Sequence, residues 1–153
     1  MGGPVRIGDM MTQNPACCTP DTTARDVANL MREFDCGSVP VVQSGTDRRL
    51  VGMITDRDLA VRGVARGLGP EARVDEMMTP EPVSCLADDD VETVREVMIQ
   101  QKVRRVPVVD QNGIVVGIVA QADLALQEGA ASDRELGRIV EAISEPNSGD
   151  LER

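Results

Sequence analysis

The chain has 153 residues, with 16 basic and 26 acidic side chains, no histidine and a formal net charge of −10. Without histidine, catalysis by Ser-His-Asp or Cys-His sets, imidazole metal ligation and an imidazole pH switch are excluded. The acidic balance and a single aromatic side chain, Phe34, argue against nucleic acid as a partner, because its recognition uses basic faces and stacking aromatics. No apolar run approaches the roughly 18 residues of a membrane span, and the N-terminus lacks a signal-peptide core. We therefore expect a cytoplasmic protein with no membrane partner.

Four cysteines support the same compartment: Cys17, Cys18, Cys36 and Cys85. They contain no C-x-x-C pair, and the aliphatic content is sufficient for a core, so we expect buried, reduced thiols, as is typical of the cytosol. A redox role remains open. A zinc site fits less well, because four thiolates at irregular spacing would have to converge, and no metal site is predicted.

An internal repeat organises the chain. A shift of 67 residues superimposes 7–42 on 74–109 with twelve identities in 36 positions, among them Met-Met-Thr at 10–12 and 77–79 and Val-Pro-Val-Val at 39–42 and 106–109. After this stretch the second repeat is two residues shorter, so the shift becomes 65. At that shift Val-Gly at 51–52 recurs at 116–117, and Asp-Leu-Ala at 58–60 recurs at 123–125. We therefore predict repeats over 7–66 and 74–128, joined by a linker at 67–73.

Each repeat predicts the same elements in the same order. A Thr- or Asp-rich start at 21–23 and 88–90 suits a helix N-terminus, and apolar residues then recur at helical spacing. These residues are Val27, Leu30, Met31 and Phe34 in the first repeat and Val91, Val94, Val97 and Met98 in the second. Two β-rich runs follow in each, at 39–42 and 50–54 and at 106–109 and 114–119. A short helix then follows, near 56–64 and 121–128.

Residues 132–143 predict a C-terminal helix with no counterpart in the repeat. Ser132 and Glu135 form a capping-box pattern, and an apolar stripe follows that packs either on the body of the protein or on a partner subunit. The polar tail at 144–153 contains Pro146 and Gly149 and is predicted to be disordered.

The strongest local signal is Gly-Met-Ile-Thr-Asp-Arg-Asp at 52–58, where a strand leads into a helix. Backbone N–H groups at a helix start favour a phosphate, and a carboxylate there can accept hydrogen bonds from paired ribose hydroxyls. Thr55 and Asp58 are also ordinary capping residues, and Gly52 also suits close strand packing. Both interpretations stay open on the residues alone.

Two copies of Met-Thr, helix, Val-Pro-Val-Val and Gly-x-x-(Thr/Ala)-x-x-Asp resemble a tandem pair of CBS domains, or Bateman module, over about residues 7–128. The segments at 55–63 and 103–108 are similar to small stand-alone bacterial CBS-pair proteins of the hypoxic-response type. The resemblance implies an α/β fold of two β-α-β-β-α repeats packed about a pseudo-twofold axis. It further implies a homodimer formed through the helices after the two Asp motifs. Since no catalytic domain is attached, any effector would be a separate protein.

The resemblance also implies two clefts, crossed between the repeats, that bind AMP, ADP, ATP or S-adenosylmethionine as a regulatory ligand, with no required cofactor. Cleft one would contain Thr55, Arg57, Asp58, Thr79, Val83, Ser84, Arg104 and Arg105. There, Asp58 would hold the ribose hydroxyls, Thr55 and the two arginines the phosphates, and backbone at 82–84 the adenine edge. Cleft two would contain Thr12, Cys17, Gly37, Ser38 and Asp123, with Ala120 where the family often has threonine.

We therefore predict a non-enzymatic regulatory module that senses an adenosyl ligand in cleft one. There Arg104 and Arg105 supply the local positive charge that a phosphate needs in a chain of net charge −10. The arginines could instead be solvated or cover a subunit interface, and the methionine pairs at 10–11 and 77–78 fit aliphatic packing. The alternative is a ligand-free stress or protein-interaction module that responds through Cys17, Cys18 and Cys85. An enzyme is the weakest interpretation, because no nucleophile–base set is visible.

Overall fold

The structure, a computed structural model, describes residues 5–127. The predicted C-terminal helix at 132–143 and the tail at 144–153 lie outside these residues. The helices are α1 (Ala24–Phe34), α2 (Asp56–Asp58), α3 (Val91–Gln101) and α4 (Gln121–Gln127). The strands are β1 (Thr12–Gln13), β2 (Ser38–Val42), β3 (Leu50–Thr55), β4 (Thr79–Pro80), β5 (Cys85–Leu86), β6 (Arg105–Val109) and β7 (Val115–Ala120). The predicted mixed α/β fold of two tandem repeats is confirmed.

Helices α1 and α3 begin at equivalent positions of the repeat, and each start is capped by a side chain. Thr23 accepts a hydrogen bond from the N–H of Asp26 at 3.1 Å, and Asp90 accepts one from the N–H of Thr93 at 2.9 Å. Such a cap satisfies an N–H group that has no partner within the helix. The helix starts predicted from the Thr- and Asp-rich segments are therefore confirmed.

Both helices also end alike, in a residue with left-handed backbone geometry. Asp35 has φ 52° and Lys102, 67 positions later, has φ 55°. The predicted apolar stripe buries Val27 and Met31 in α1 and Val91, Val94 and Met98 in α3. Phe34 differs from the other stripe residues, because its position at the last turn of α1 leaves it 56 % exposed.

The segment after β3 departs from the single helix predicted near 56–64. Helix α2 continues as a π-helical turn over Leu59–Gly63 and a 3₁₀ turn over Val64–Arg66. Gly63 is buried, and a Cβ built on it would lie 2.8 Å from the Met77 sulfur. The missing side chain at Gly63 therefore allows the wide turn to lie against Met77. Within residues 5–127, none of the helices combines the length and apolar character needed to cross a membrane.

The chain forms two compact units that do not coincide with the two repeats. Among the described residues, the first unit contains 5–13, 83–111 and 116–127, and the second unit contains 14–82 and 112–115. The first unit holds a four-stranded sheet in the order β1-β7-β6-β5, and the second holds a three-stranded sheet in the order β2-β3-β4. Each unit therefore combines the body of one repeat with the first residues of the other. We call these first residues, 5–13 and 74–82, the exchanged entry segments.

The exchanged entry segments pair as edge strands. In the second unit β4 runs antiparallel to β3, with Met53 opposite Thr79, and in the first unit β1 runs antiparallel to β7, with Ile118 opposite Thr12. Each segment also inserts one fully buried aliphatic residue, Ile7 into the first core and Val74 into the second. Burial of such a side chain stabilises the folded state by about 1.5–3 kcal/mol.

The core of each unit is aliphatic and sulfur-rich. The first contains Ile7, Cys85, Val91, Val94, Met98, Val106, Val108, Val119 and Leu124, and the second contains Cys18, Val27, Met31, Val39, Val41, Ile54, Val74 and Met77. Met10, Met11 and Met78 are partly buried against these cores. The prediction that the methionine pairs serve packing is therefore confirmed.

Gly52 and Gly117 allow the exchanged strands to approach. A Cβ on Gly52 would lie 3.1 Å from the carbonyl oxygen of Thr79, and one on Gly117 would lie 2.9 Å from that of Thr12. Both would also collide with a methionine sulfur. Of the two roles considered for these glycines, the structure supports close strand packing.

Candidate functional site

Thr55 and Asp58 form a reciprocal cap at the junction of β3 and α2. The Asp58 N–H donates to Thr55 Oγ1 at 3.0 Å, and the Thr55 N–H donates to Asp58 Oδ2 at 3.0 Å. The Asp58 side chain is 15 % exposed. The capping role considered for these two residues is therefore real, and it uses one of the two carboxylate oxygens of Asp58.

Arg62 is a neighbour of this cap that the sequence motif did not single out. Its Nε lies 3.8 Å from Asp58 Oδ1, and its Nη1 donates to the carbonyl oxygens of Met77 at 3.4 Å and Met78 at 3.2 Å. Spacing of four residues along a helix could have indicated the pair with Asp58. Since 3.8 Å exceeds hydrogen-bond length, Asp58 Oδ1 can still accept from a hydroxyl.

Thr79 joins the same edge of the second unit through the exchanged strand β4. It is exposed and lies opposite Met53 in the ladder, two residues before Thr55. Thr55, Asp58 and Thr79, three residues predicted for cleft one, therefore lie in the same unit, on the adjacent strands β3 and β4 and at the start of α2. Arg57, also predicted there, is exposed on α2.

The first unit carries an equivalent edge with one hydroxyl fewer. The Ala120 N–H donates to Asp123 Oδ2 at 2.8 Å, as in the second unit, and exposed Thr12 lies in the adjacent strand β1. Ala120 has no side-chain oxygen to cap the N–H of Asp123. The predicted pairing of Thr12 with Asp123 in one edge is therefore compatible with the fold of this unit.

The segments before the two Val-Pro-Val-Val runs differ in charge. In the first unit Arg104 and Arg105 are half-buried, and the Gln121 N–H donates to the Arg104 carbonyl at 2.8 Å. In the second unit the equivalent residues are Gly37 and Ser38, and the Asp56 N–H donates to the Gly37 carbonyl at 2.9 Å. The backbone arrangement is thus repeated with different side chains.

The remaining predicted residues are divided between the units. Val83 is half-buried and Ser84 is exposed, both in the first unit with the two arginines, whereas Cys17 lies in the second unit. The joining of Val83, Ser84, Arg104 and Arg105 with Asp58 stays a prediction. The same holds for Cys17, Gly37 and Ser38 with Asp123.

Burial raises the thiol pKa of three cysteines, Cys17, Cys18 and Cys85. Cys18 and Cys85 are buried and Cys17 and Cys36 are half-buried, with all four present as free thiols. Burial, with a smaller contribution from neighbouring Cys17, raises the pKa of Cys18 to about 12. Burial also raises the pKa of Cys17, although the Arg48 guanidinium, 3.4 Å from its sulfur, acts in the opposite direction. Thiols that stay protonated are poor nucleophiles, which weakens the thiol-responsive alternative.

Comparison with known proteins gives consistent matches along the chain. The family model of the CBS domain matches residues 7–63 and 74–127. CBS domain-containing protein YhcV of Bacillus subtilis (strain 168) is 38 % identical over 141 residues, covering 92 % of this chain and 96 % of YhcV. Hypoxic response protein 1 of Mycobacterium tuberculosis (strain ATCC 25618 / H37Rv) is 34 % identical over 139 residues, covering 90 % and 93 %.

Three crystal structures are similar to this chain. Hypoxic Response Protein I with two coordinated zinc ions matches at a TM-score of 0.72 and 34 % identity, covering 79 % of this chain and 97 % of its own. CBSX2 in complex with AMP matches at 0.70 and 27 %, covering 81 % and 98 %. The CBS domain pair of MJ0100 in complex with 5-methylthioadenosine and S-adenosyl-L-methionine matches at 0.76 and 25 %, covering 85 % and 100 %.

The zinc ions of Hypoxic Response Protein I raise the question of whether residues 5–127 of this chain could hold a metal ion. This chain has no histidine, and residues 5–127 contain no group of three cysteine or carboxylate side chains that could hold a metal ion. The donor set therefore does not fit such a site in the described residues.

The matches cover both repeats, and the paired architecture agrees with the solved structures of stand-alone relatives. The predicted resemblance, including its hypoxic-response type, is confirmed. The chain belongs to the CBS-domain family as a CBS pair, or Bateman module.

Proposed function

We propose that this CBS pair is a non-enzymatic regulatory sensor that binds an adenosyl ligand, with the ribose held by Thr55, Asp58 and Thr79, which we call the ribose edge. Asp58 Oδ1 accepts from the ribose hydroxyls, and the Thr55 hydroxyl faces the phosphate side. Arg104 and Arg105 provide the phosphate contacts, and the backbone at 82–84 contacts the adenine. In this proposal the protein is a cytoplasmic homodimer that acts on a separate effector protein.

The observation that carries the proposal is the arrangement of Asp58. Only Oδ2 of Asp58 takes part in the cap, and this contact holds the carboxylate in place. The side chain stays partly accessible, so Oδ1 can accept a hydrogen bond from a ligand. A preorganised acceptor loses little conformational freedom when a ligand binds. Thr79 on the adjacent strand adds a hydroxyl to the same edge. The structure of CBSX2 with AMP shows that a relative of this fold binds an adenine nucleotide, which supports the proposal.

The mechanism is thermodynamic linkage. A ligand that binds the folded state alone stabilises it by about 2.7 kcal/mol at a hundredfold excess over its dissociation constant. The same binding energy shifts the equilibrium between conformations when one of them binds better. An effector that recognises the favoured conformation would then respond to the ligand concentration.

A thermal-unfolding panel tests the proposal with AMP, ADP, ATP, S-adenosylmethionine and NAD. Asp58→Asn keeps an oxygen that can accept from the Thr55 N–H but removes the charge, and Asp123→Asn is the matched control in the other repeat. We expect at least one adenosyl ligand at hundredfold excess to raise the wild-type Tm by about 5–10 °C. That rise should be lost in Asp58→Asn and retained in Asp123→Asn.

A second set of variants separates the ribose edge from the phosphate contacts. Arg104→Gln and Arg105→Gln should weaken AMP and ATP binding by about tenfold while leaving adenosine affinity unchanged, because they remove charge complementary to phosphate. An AMP-induced rise in Tm that persists in Asp58→Asn would contradict the proposed ribose contact. If none of the five ligands stabilised the wild type, the ligand-free interpretation would be preferred.

A further inference from the structure

The turns that join the two longer strands of each repeat pair with one another inside the second unit. At the shift of 65, residues 48–50 of the first turn correspond to 113–115 of the second. Arg49 forms an antiparallel bridge with its own counterpart, Ile114. On either side of this bridge a backbone N–H donates to a carbonyl of the other turn at 3.0 Å, from Leu50 to Gly113 and from Val115 to Arg48. We call residues 48–50 and 113–115 the turn junction.

Asn112 and Gly113 are adjacent in the second of these turns. Asn112 is exposed, and Gly113 has φ 81°, in the left-handed region that favours glycine. The backbone of the turn therefore explains why a glycine follows the asparagine directly. Because glycine has no side chain, residue 113 itself places no group between its backbone nitrogen and the side chain of Asn112.

The other asparagines of the sequence lack this combination. Asn14 precedes a proline, whose nitrogen carries no hydrogen, and Asn29 lies within α1 and precedes a leucine. Asn147 precedes a serine and lies outside the described residues. Asn112 is thus the single asparagine of the chain that is followed by glycine.

The first repeat carries a carboxylate at the position equivalent to Asn112. Asp47 is this counterpart, and its Oδ1 accepts from the Arg49 N–H at 3.2 Å while its Oδ2 accepts from Arg49 Nη2 at 2.8 Å. Gly113 lies beside the same arginine, since a Cβ built on it would be 3.9 Å from Arg49 Cγ. A carboxylate at this point of the turn is therefore compatible with the fold of a repeat.

We propose that Asn112 is a site of spontaneous deamidation, and that its isoaspartyl product weakens the turn junction. The Gly113 nitrogen attacks Cγ of Asn112, a C–N bond forms, and the side-chain nitrogen leaves as ammonia with the proton of the Gly113 N–H. Water then opens the cyclic imide at either carbonyl carbon and gives aspartate or isoaspartate. Asparagine is among the thermolabile residues for such reasons. The inference does not depend on the proposed function.

The two products differ in their effect on the backbone. Aspartate keeps the backbone unchanged and reproduces the residue type of Asp47. Isoaspartate leads the backbone through its Cβ and Cγ, so one atom is inserted before the Gly113 nitrogen. The Gly113 carbonyl then moves away from the Leu50 N–H, which donates to it at 3.0 Å. Loss of this hydrogen bond should speed exchange of the Leu50 amide roughly fivefold and lower the Tm by about 2–4 °C.

Incubation of the full chain at physiological temperature and mildly alkaline pH, followed by peptide mass spectrometry, tests the modification. We expect Asn112 to be converted to aspartate and isoaspartate while Asn14 and Asn29 keep their amides. Asn112→Gln is the matched control and should stay unmodified, because its longer side chain would have to close a six-membered ring. The inference is overturned if Asn112 stays intact in the folded chain while urea-unfolded chain is converted, or if Asn29 reacts equally fast.

Hydrogen exchange of the incubated chain tests the effect on the turn junction. The Leu50 amide should exchange faster than in Asn112→Gln incubated alongside. The Gln43 N–H, which donates to the Arg49 carbonyl at 2.9 Å in the first turn, should not change. Asn112→Asp adds the charge without the extra backbone atom and should resemble the wild type before incubation. Unchanged Leu50 exchange in the isoaspartyl form, or equally fast exchange in Asn112→Asp, would show that the inserted atom does not weaken the junction.

Discussion

The two carboxylate oxygens of Asp58 have different surroundings. One carboxylate oxygen completes the cap with Thr55, and the other lies 3.8 Å from the Arg62 guanidinium. Asp123 repeats the first contact without the threonine hydroxyl, because residue 120 is alanine. The cap of Thr55 and Asp58 could be predicted from the sequence motif. The second contact, between Asp58 Oδ1 and Arg62, depends on how the turn after α2 is folded, which only the structure shows.

The buried thiols lead to a prediction about pH. The pKa of Cys18 and that of Cys85 are each raised from 9.0 to about 12, chiefly by burial, with the Asp89 carboxylate adding to the effect at Cys85. Above pH 9 the unfolded chain loses these protons while the folded chain keeps them, so the free energy of unfolding falls as pH rises. The slope should reach about 1.4 kcal/mol per pH unit for each thiol between pH 9 and 12.

Urea unfolding between pH 8 and 10.5 under reducing conditions measures this slope. The chain suits the experiment because it has no tyrosine and one lysine, Lys102, so few other side chains titrate in this range. A Cys18→Ala/Cys85→Ala variant should be less stable at pH 8, because packing is lost, and should show a clearly smaller slope above pH 9. Equal slopes in the two proteins would show that these thiols do not cause the effect.

The two repeats have the same order of strands and helices, and residues with positive φ recur at equivalent positions. Left-handed backbone geometry occurs at Asn14 and Glu81 as well as at Asp35 and Lys102, and each pair is 67 residues apart. The helix starts, the apolar stripes and the two longer strands of each repeat follow from local pattern and could be predicted. The short edge strands β1 and β4 could not, because two residues carry too little periodicity and their partners lie far along the chain.

The close pairing of β3 with β4 leads us to predict that Gly52 is needed for stability. Alanine at this position would place its Cβ 3.1 Å from the Thr79 carbonyl and against the Met78 sulfur, so the β3–β4 pairing must shift. We expect Gly52→Ala to lower the free energy of unfolding by roughly 1–3 kcal/mol, the usual effect of overpacking.

Chemical denaturation of Gly52→Ala beside Gly45→Ala checks this expectation. Gly45 has no atom within 4 Å of a built Cβ, so its substitution should change stability by less than about 0.5 kcal/mol. Gly117→Ala, at the equivalent position of the other unit, should behave like Gly52→Ala. Equal effects at Gly52 and Gly45 would contradict close approach of β4.

At the scale of the whole molecule, the compact unit and the sequence repeat are different divisions of the chain. A fragment of residues 14–82 contains β2, β3, α1 and the exchanged segment with Val74 and β4, whereas a fragment of residues 1–66 lacks that segment. We expect the first fragment to unfold cooperatively with more helical circular dichroism than the second. Comparable stability of the two fragments would show that the exchanged segment contributes little.

The sequence by itself determined the family, the repeat, the longer elements and the cap formed by Thr55 and Asp58, because these depend on local periodicity, capping chemistry and recurrence of a motif. Only the tertiary structure shows which entry segment belongs to which unit. A two-residue strand has too little pattern of its own, and its pairing depends on burial of Ile7 or Val74 and on the close approach that Gly117 or Gly52 allows. It also revealed Arg62 beside Asp58 and the Asp56 carboxylate against Gly37. The net charge of −10 is distributed unevenly between the repeats, because Arg104 and Arg105 correspond to Gly37 and Ser38. The structure adds that the two segments make the same backbone hydrogen bond, from Gln121 to Arg104 and from Asp56 to Gly37.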